Sequence, residues 1–260
     1  LSTWGNLFIV GSVLSSYYLG LYRGSSALTN AAFSIITGAI TPVLFAGLSR
    51  IQSDMKSFQS MYYDVEKKSI LFVAPIGVGI FIFSDVAVSI LLGTQWHEAD
   101  FYVGLRGLVG CTSVVFNSMA SEALRAKGLP RLSTLSQVLY FPIMFAVIYY
   151  TASMGFGLLA IGTCICSLWL DLVKVVILKQ YLKFSLRKLI GNTIPAMGSA
   201  LLAAGAAYAF RGTFDQENGV VVVSSIFLFL IVYTMLVLLN RENRVFLFAI
   251  FRRIKVKIIG

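Results

Sequence analysis

Long stretches without a charged side chain are the feature that most limits how this chain can fold. Six stretches contain no Asp, Glu, Lys or Arg: 1–22, 24–49, 69–84, 132–170, 189–210 and 218–240. A helix needs about 20 mostly apolar residues to cross the hydrocarbon core of a membrane. Because lipid satisfies no backbone polar group, such stretches should be helices rather than strands. The chain is therefore predicted to be an all-α integral membrane protein.

Composition excludes the soluble classes of protein. Of the 260 residues, 58% are hydrophobic and only 12% are charged, whereas a soluble domain has about 25% charged residues. So few charges cannot cover the surface of a soluble globule. A soluble single domain, a disordered chain and a disulfide scaffold are all excluded on this ground.

Eight transmembrane helices are predicted from the hydrophobic stretches. The stretch 132–170 is long enough for two of them, separated by a tight turn at 153–157. The predicted spans are 3–17, 20–48, 69–92, 101–121, 133–152, 156–178, 192–210 and 219–239. The chain starts at Leu1 inside a hydrophobic run without the pattern of a signal peptide, and we expect it to be the C-terminal part of a longer protein.

The basic residues are concentrated in alternate loops between these spans. Of the 21 Lys and Arg residues, 18 lie in four segments: 50–68, 122–132, 174–188 and 240–260. Basic loops of membrane proteins face the cytoplasm. The prediction therefore places 50–68, 122–132, 179–191 and the tail 240–260 in the cytoplasm, and 93–100, 153–157 and 211–218 outside.

This topology also explains the net charge of +10. Basic cytoplasmic segments contact the anionic lipids of the membrane. Nucleic acid is not predicted as a partner, because no basic run alternates with aromatic residues that could stack on bases.

No catalytic or metal site is predicted. The single histidine, His97, lies in a short loop beside Glu98, and Cys111, Cys164 and Cys166 lie in spans without the spacing of zinc ligands. No phosphate-binding glycine loop or nucleophile elbow is present. The interpretation is a protein without catalytic residues, metal or cofactor.

Polar residues with helical spacing predict a cavity between the spans. In the second span, Arg23, Asn30, Ser34 and Thr37 fall on one helical face at relative positions 0, 7, 11 and 14. The fourth span carries Arg106, Ser113 and Asn117 on one face, and the fifth contributes Gln137. These eight residues form the predicted substrate cavity, in which two arginines would suit a phosphate or diphosphate.

Two simpler interpretations of these residues stay open. Arg23 and Arg106 could extend to the outer headgroups, and the small polar residues could only allow close helix packing. Gly104, Gly107 and Gly110 are interpreted as a packing strip. Asp85, near the end of the third span, is a weaker candidate for binding a coupling ion.

Four ordered motifs resemble those of one family of transporters. They are Leu19–Arg23, Val43–Asp54, Leu91–Trp96 and Arg125–Gly128. Together they resemble the polysaccharide transporter branch, which includes O-antigen and exopolysaccharide flippases, of the multidrug/oligosaccharidyl-lipid/polysaccharide exporter superfamily. The motif Val43–Asp54 departs from the family pattern at Ala46, where proline is usual.

The resemblance implies a fold and a function. Residues 1–178 would be helices seven to twelve of the family, which form the C-terminal lobe, 179–239 two additional helices, and 240–260 a basic cytoplasmic tail. The implied function is a non-enzymatic flippase of the bacterial-type cytoplasmic membrane. Its substrate would be a polyprenyl-diphosphate-linked oligosaccharide, and its partners membrane lipids and a missing N-terminal lobe.

Three other functions stay open at this point. The chain could belong to an ion-coupled small-molecule exporter of the same superfamily, or to a membrane polymerase or ligase of the same pathway. It could also be a membrane scaffold. Arginines rather than carboxylates in the predicted cavity argue against a cation exporter, and short outer loops argue against the enzyme.

Overall fold

The computed structural model describes residues 2–214, 219–240 and 243–247, and every regular element within them is a helix. The helices are α1 (Ser2–Val13), α2 (Ser16–Arg50), α3 (Met55–Ile82), α4 (Ser84–Leu91), α5 (Asp100–Ser113), α6 (Ala120–Ala126), α7 (Pro130–Ser153), α8 (Phe156–Leu182), α9 (Leu186–Gly212) and α10 (Gly219–Leu239). A 3₁₀ segment, Thr94–Ala99, precedes α5, and a π-helical segment, Val114–Met119, joins α5 to α6. The predicted all-α membrane class is confirmed.

The number of membrane spans is lower than the eight predicted. Within the described residues, six helices are long and apolar enough to cross a membrane, and the bent pair of α3 and α4 brings the number to seven if it is one span. The difference lies in α1, which has 12 residues where a span needs about 20. The chain leaves the helix at Leu14 and starts α2 at Ser16, four residues before the predicted start.

The predicted third span, 69–92, is two helices rather than one. Helix α3 begins at Met55 and ends at Ile82, and α4 starts two residues later at a bend of 80°. The backbone of Phe83, with φ −111° and ψ 28°, leaves the helical region. Asp85 then lies in the first turn of α4, where a carboxylate is stabilised by the helix dipole.

The predicted turn between the fifth and sixth spans agrees with the structure. Helix α7 ends at Ser153 and α8 begins at Phe156. Gly155 between them has φ +116°, a conformation that residues with a Cβ rarely adopt. A glycine at this position therefore permits the tight reversal.

Two of the recognised motifs have structural roles at one end of the helices. The carboxylate of Asp54 caps α3 by accepting hydrogen bonds from the backbone N–H groups of Lys56 and Ser57, at 3.0 and 3.4 Å. Lys127 Nζ donates to the carbonyl oxygen of Gln52 at 2.5 Å. The loop before α3 and the loop after α6 are thereby joined.

Two hydrophobic cores occupy opposite ends of the same long helices. One core includes Tyr22 of α2, Tyr102 of α5 and Leu159 of α8, all buried. The other includes Leu48 of α2 and Leu182 of α8, together with residues of α3 and α6. Leu48 lies 26 positions after Tyr22, which corresponds to roughly 39 Å of helix. The middle sections of α2, α5 and α8 therefore lie between the two cores. These sections carry polar residues.

Small residues let α3 and α5 approach closely. A Cβ added to Gly107 of α5 would lie 2.5 Å from Ile80 Cγ2 of α3, and one added to Gly77 of α3 would lie 2.7 Å from the carbonyl oxygen of Gly107. Gly104 likewise lies beside α3, whereas Gly110 lies beside Phe33 of α2. The interpretation of these glycines as a packing strip agrees with the structure.

The chain divides into two compact units, residues 1–194 and 195–260. The first contains α1 to α8 and the beginning of α9. The second contains the remainder of α9, which includes Pro195, and α10, whose sequence has no charged residue. The predicted boundaries at 178 and 239 stay predictions. Most of the predicted tail 240–260 lies outside the described residues, as do residues 215–218 of the predicted loop 211–218.

Candidate functional site

Two cavities lie in the first unit, and together they are lined by all eight residues of the predicted substrate cavity. The larger, about 750 Å³, is lined by residues that include Arg23, Asn30, Arg106, Asn117 and Gln137. The smaller, about 310 Å³, is lined by residues that include Asn30, Ser34, Thr37, Arg106 and Ser113. Asn30 and Arg106 line both cavities, which are therefore adjacent. The structure brings these residues together around one polar space.

Arg106 lies at the junction of the two cavities. Its Nη2 donates a hydrogen bond to Asn30 Oδ1 at 3.3 Å, and its Nε is buried without a hydrogen-bond partner. Among the described residues, Arg106 is in no ion pair. A guanidinium group has five donors in a planar fork that matches phosphate oxygens. The charge and the remaining donors of Arg106 are thus suited to an anion in the cavity.

Arg23 provides a second positive charge in the larger cavity. It is exposed and lies seven residues before Asn30 on α2. Seven residues correspond to two helical turns, or roughly 10 Å along the axis. Because both arginines line the larger cavity, both can contact one anionic ligand there.

Hydroxyl groups of α2 line the smaller cavity. Ser34 Oγ donates to the carbonyl oxygen of Ala31 at 2.9 Å, and Thr37 Oγ1 donates to that of Phe33 at 3.0 Å. Because each hydroxyl proton is used within the helix, the hydroxyl oxygens keep lone pairs that can accept hydrogen bonds.

The π-helical segment changes how the polar face of the fourth predicted span is presented. The prediction placed Arg106, Ser113 and Asn117 on one face of a regular helix. In the structure Ser113 lines the smaller cavity and Asn117 the larger one. Asn117 lies inside the segment Val114–Met119, and its Oδ1 is buried without a hydrogen-bond partner. π-helical segments are frequent at functional sites, and Asn117 in this one lines the larger cavity.

Asp85, the weaker candidate for ion coupling, lies apart from these residues. It is in the first turn of α4 and does not line either cavity. The structure therefore does not place Asp85 with the eight cavity residues, and its role as an ion site stays a prediction.

Two buried charged residues of α8 were missed by the sequence analysis. Asp171 is 4% exposed and Lys174 is fully buried, although Lys174 was counted among the cytoplasmic residues. Helix α8 extends to Leu182, so both residues lie well inside it. A signal was available, because Asp171 follows the charge-free stretch 132–170 directly and Lys174 lies one turn later on the same helix.

These two side chains contact different neighbouring helices. Asp171 Oδ2 accepts hydrogen bonds from hydroxyl groups of α5, with Thr112 Oγ1 at 2.9 Å and Ser113 Oγ at 3.1 Å. Lys174 Nζ donates to Ser133 Oγ of α7 at 2.6 Å. Since Ser113 also lines the smaller cavity, Asp171 lies directly behind the cavity wall.

Glu66 is a further buried carboxylate that the sequence analysis missed. It was included in the predicted loop 50–68, but α3 begins at Met55 and Glu66 is fully buried. Asn192 Nδ2 donates to Glu66 Oε2 at 3.0 Å and to the carbonyl oxygen of Tyr63 at 3.3 Å. This cluster joins α3 to the beginning of α9, away from the cavities.

The described part of the chain contains no group of three or more His, Cys, Asp and Glu side chains arranged to hold a metal ion. Cys111, Cys164 and Cys166 are each buried. They pack within the helix bundle, as expected for small residues in membrane spans.

Comparison with known proteins agrees with the motifs. Residues 1–100 match the model of a family described as polysaccharide biosynthesis proteins. The chain is also 23% identical over 254 residues to a protein of Haloferax volcanii named as a probable low-salt glycan biosynthesis flippase, Agl15. The resemblance to polysaccharide transporters is confirmed. No solved structure gives a significant match.

The extent of the match also bears on the architecture. The alignment covers 93% of this chain and 51% of the Haloferax protein, so the chain spans about half the length of the curated relative that it matches. Three of the four motifs, Leu19–Arg23, Val43–Asp54 and Leu91–Trp96, lie within the residues matched by the family model.

Proposed function

We propose that this chain is the C-terminal lobe of a flippase that moves a polyprenyl-diphosphate-linked oligosaccharide across the cytoplasmic membrane. The observation that carries the proposal is that Arg23 and Arg106 line a cavity between membrane-spanning helices, together with uncharged polar residues. Ionisable residues inside membrane helices mark substrate pathways. A diphosphate is the anionic part of the proposed substrate, and guanidinium groups bind phosphate oxygens in bidentate fashion.

The remainder of the cavity suits the sugar part of the substrate. Asn30, Asn117 and Gln137 provide amide groups that both donate and accept hydrogen bonds, as sugar hydroxyl groups require. The similarity to the Haloferax glycan flippase supports the same substrate class.

The mechanism that we propose is alternating access between two lobes. Secondary transporters bind their substrate near the middle of the membrane and rock one repeat against the other. In this chain the smaller cavity lies between the two hydrophobic cores, as a central site would, and the larger cavity borders the first core, whose residues Tyr22 and Met144 line it. The partner lobe would be an N-terminal half, consistent with a match that covers about half of the relative. No covalent step on the substrate is involved.

The proposed domain arrangement follows from this mechanism. Residues 1–178 would form the transporter lobe, 179–239 two additional helices, and 240–260 a basic tail on the cytoplasmic side. The distribution of basic residues along the sequence supports this orientation.

The test uses the full-length protein in a host that lacks its own flippase. Arg106→Ala should reduce display of the surface glycan at least tenfold, because a lost charged hydrogen bond costs about 1.5–3 kcal/mol. Arg23→Ala should have a smaller effect, and the double variant should abolish display. The matched control is Arg125→Ala, since Arg125 is exposed and pairs with Glu122 at 2.9 Å. Unchanged glycan display in the double variant would contradict the proposal.

A further inference from the structure

Asp171 is a buried carboxyl group without a countercharge. It is 4% exposed, and its Oδ1 has no hydrogen-bond partner. Within the part of the chain that the structure describes, Asp171 forms no ion pair. An ionised carboxylate that is buried without a paired charge is strongly disfavoured. Binding of a proton would remove this charge.

The hydroxyl group of Thr112 gives an independent indication of a proton at Asp171. Thr112 Oγ1 lies 2.8 Å from the carbonyl oxygen of Val109 and 2.9 Å from Asp171 Oδ2. A threonine hydroxyl has one proton, so it cannot fully donate to both oxygens. If Asp171 is protonated, its own O–H donates to Thr112 Oγ1 while Thr112 donates to Val109. Both short contacts are then satisfied.

Asp171 is close enough to the cavity to affect anion binding there. Ser113, which contacts Asp171 Oδ2 at 3.1 Å, lines the same cavity as Arg106. The titratable and charged groups that face this region are Arg106 and Cys111 on α5, Tyr140 on α7, and Lys174 on α8 itself. On α6, Glu122 pairs with Arg125. Glu122 lines neither described cavity, whereas Asp171 contacts Ser113 of the cavity wall and has no such partner charge.

We propose that Asp171 is a protonation site that controls the binding of an anion by Arg106 in the adjacent cavity. A proton from water in the cavity binds to the carboxylate and leaves a neutral carboxylic acid. Loss of this negative charge strengthens the attraction between the cavity cations and a diphosphate group. When the proton returns to water, the carboxylate forms again and binding of the anion weakens. This inference rests on the proposed function, because that function supplies the anionic substrate.

The proton site itself is tested without a substrate. Purified full-length protein is titrated while the infrared absorption of protonated carboxyl groups is recorded. Wild type should show one titrating component of the carboxyl band that is missing from Asp171→Asn, while the component of the buried Glu66 is retained. The matched control is Asp64→Asn, which removes an exposed carboxylate that pairs with Lys68 and should keep the band. A titration spectrum of Asp171→Asn that keeps every component of the wild-type band would overturn the proposal.

The effect on the anion is tested by binding of a polyprenyl diphosphate to the same proteins in lipid nanodiscs. The uncharged polyprenol serves as the control ligand. Between mildly acidic and mildly alkaline pH, the affinity of wild type for the diphosphate should fall roughly tenfold, within the usual range of coupling between two sites. Asp171→Asn should keep the high affinity at alkaline pH. An equal fall in Asp171→Asn and wild type would overturn the control of anion binding by Asp171.

Two further variants keep the test decisive if Asp171→Asn does not fold. Thr112 accepts from the protonated acid and Ser113 donates to it, so Thr112→Val and Ser113→Ala should move the titration midpoint in opposite directions. Shifts in the same direction would contradict the assigned proton.

A sodium titration at constant pH distinguishes a proton site from a sodium site. If added sodium changes the affinity for the anion as protons do, and Asp171→Asn removes this change, then the site binds sodium. That result would overturn the assignment of a proton.

Failure of the proposed function gives a different result. In that case no variant binds the diphosphate more tightly than the polyprenol, while the same component of the carboxyl band still titrates and is still missing from Asp171→Asn. The protonation site then stands, and its control of a lipid diphosphate is overturned.

Discussion

Charged side chains in the middle of this helix bundle form hydrogen bonds with neutral groups rather than ion pairs with opposite charges. Arg106 donates to an amide of Asn30, Asp171 accepts from two hydroxyl groups, and Lys174 donates to Ser133. A neutral partner leaves the formal charge uncompensated, which is costly in a medium of low dielectric constant. Such charges in membrane helices indicate function, and here Arg106 lines both cavities while Asp171 contacts Ser113 of the cavity wall.

Outside the membrane-spanning segments, the carboxylate of Asp54 caps α3, and its contribution to the stability of the folded protein should depend on pH. Burial contributes little at the exposed Asp54; its pKa is lowered because the carboxylate accepts hydrogen bonds from the Ser57 hydroxyl and from the N–H groups of Ser57 and Lys56. A carboxylate with a lowered pKa stabilises the folded state above its unfolded pKa, which is about 3.9 for Asp. This contribution is lost as the pH falls through the lower folded value.

We therefore expect Asp54→Ala to unfold at a lower temperature than wild type at neutral pH, because α3 loses its cap. The difference should become smaller as the pH falls below about 4. Thermal unfolding of the purified protein in detergent over a pH series measures this. Asp54→Asn is the control, since asparagine caps a helix without a charge. A deficit of Asp54→Ala that is the same at neutral and acidic pH would argue against the ionised cap.

Among the helices, the longest and the most closely packed ones define the geometry of the bundle. Helix α2 has 35 residues, or roughly 52 Å, which is longer than the hydrocarbon core of about 30 Å. It therefore reaches from one hydrophobic core to the other and beyond. Helix α5 packs on α3 through glycines, and this contact positions Arg106, the residue before Gly107, at the cavity.

Glycine substitutions separate helix propensity from packing at this contact. Alanine is a better helix former than glycine by about 1 kcal/mol, but a Cβ at Gly107 would lie 2.5 Å from Ile80 Cγ2. Overpacking costs typically about 1–3 kcal/mol. We expect Gly107→Ala to lower the thermal unfolding temperature of the protein. The matched control is Gly38→Ala on α2, where a Cβ would have no neighbour within 4 Å, and this variant should be neutral or more stable. Equal behaviour of both variants would show that the close approach does not matter.

At the scale of the whole molecule, the distribution of basic residues predicts the orientation in the membrane. The loop between α2 and α3 lies on the predicted cytoplasmic side, and the 3₁₀ segment Thr94–Ala99 on the outer side. The helices α3 and α4 connect the two positions and bend by 80° on the way. If the pair crosses the membrane despite the bend, its ends must be accessible from opposite sides.

Cysteine labelling tests this orientation. A membrane-impermeant maleimide should label His97→Cys in intact cells, but Ser53→Cys only after the membrane is permeabilised. Both positions are exposed, and the native Cys111, Cys164 and Cys166 are buried, so background labelling should be low. Labelling of both variants in intact cells would show that α3 and α4 turn back on one side, and the reverse pattern would show the opposite orientation.

Much of the fold follows from local features of the sequence. The charge-free stretches predicted helices, the glycine at 155 marked a turn, and α10 has the predicted ends, Gly219 and Leu239. Helical spacing also placed Arg23 and Asn30 on one face of the second span before any contact was known. Such features depend on hydrophobicity and periodicity, which act along a single helix.

Other features were decided only by tertiary packing. The period of 3.6 residues predicted neither the bend at Phe83 nor the π-helical segment. It also placed Asn117 with Ser113, whereas Asn117 lines the larger cavity and Ser113 the adjacent smaller one. Asp171 and Lys174 lie inside the predicted span 156–178, but a single helix does not show which of its residues neighbouring helices cover, so their burial could not be predicted. The sequence by itself determined a helical membrane protein with a cationic polar face. Packing of α5, α7 and α8 decided which charges are buried beside the cavity, because the cost of a buried charge depends on its three-dimensional surroundings.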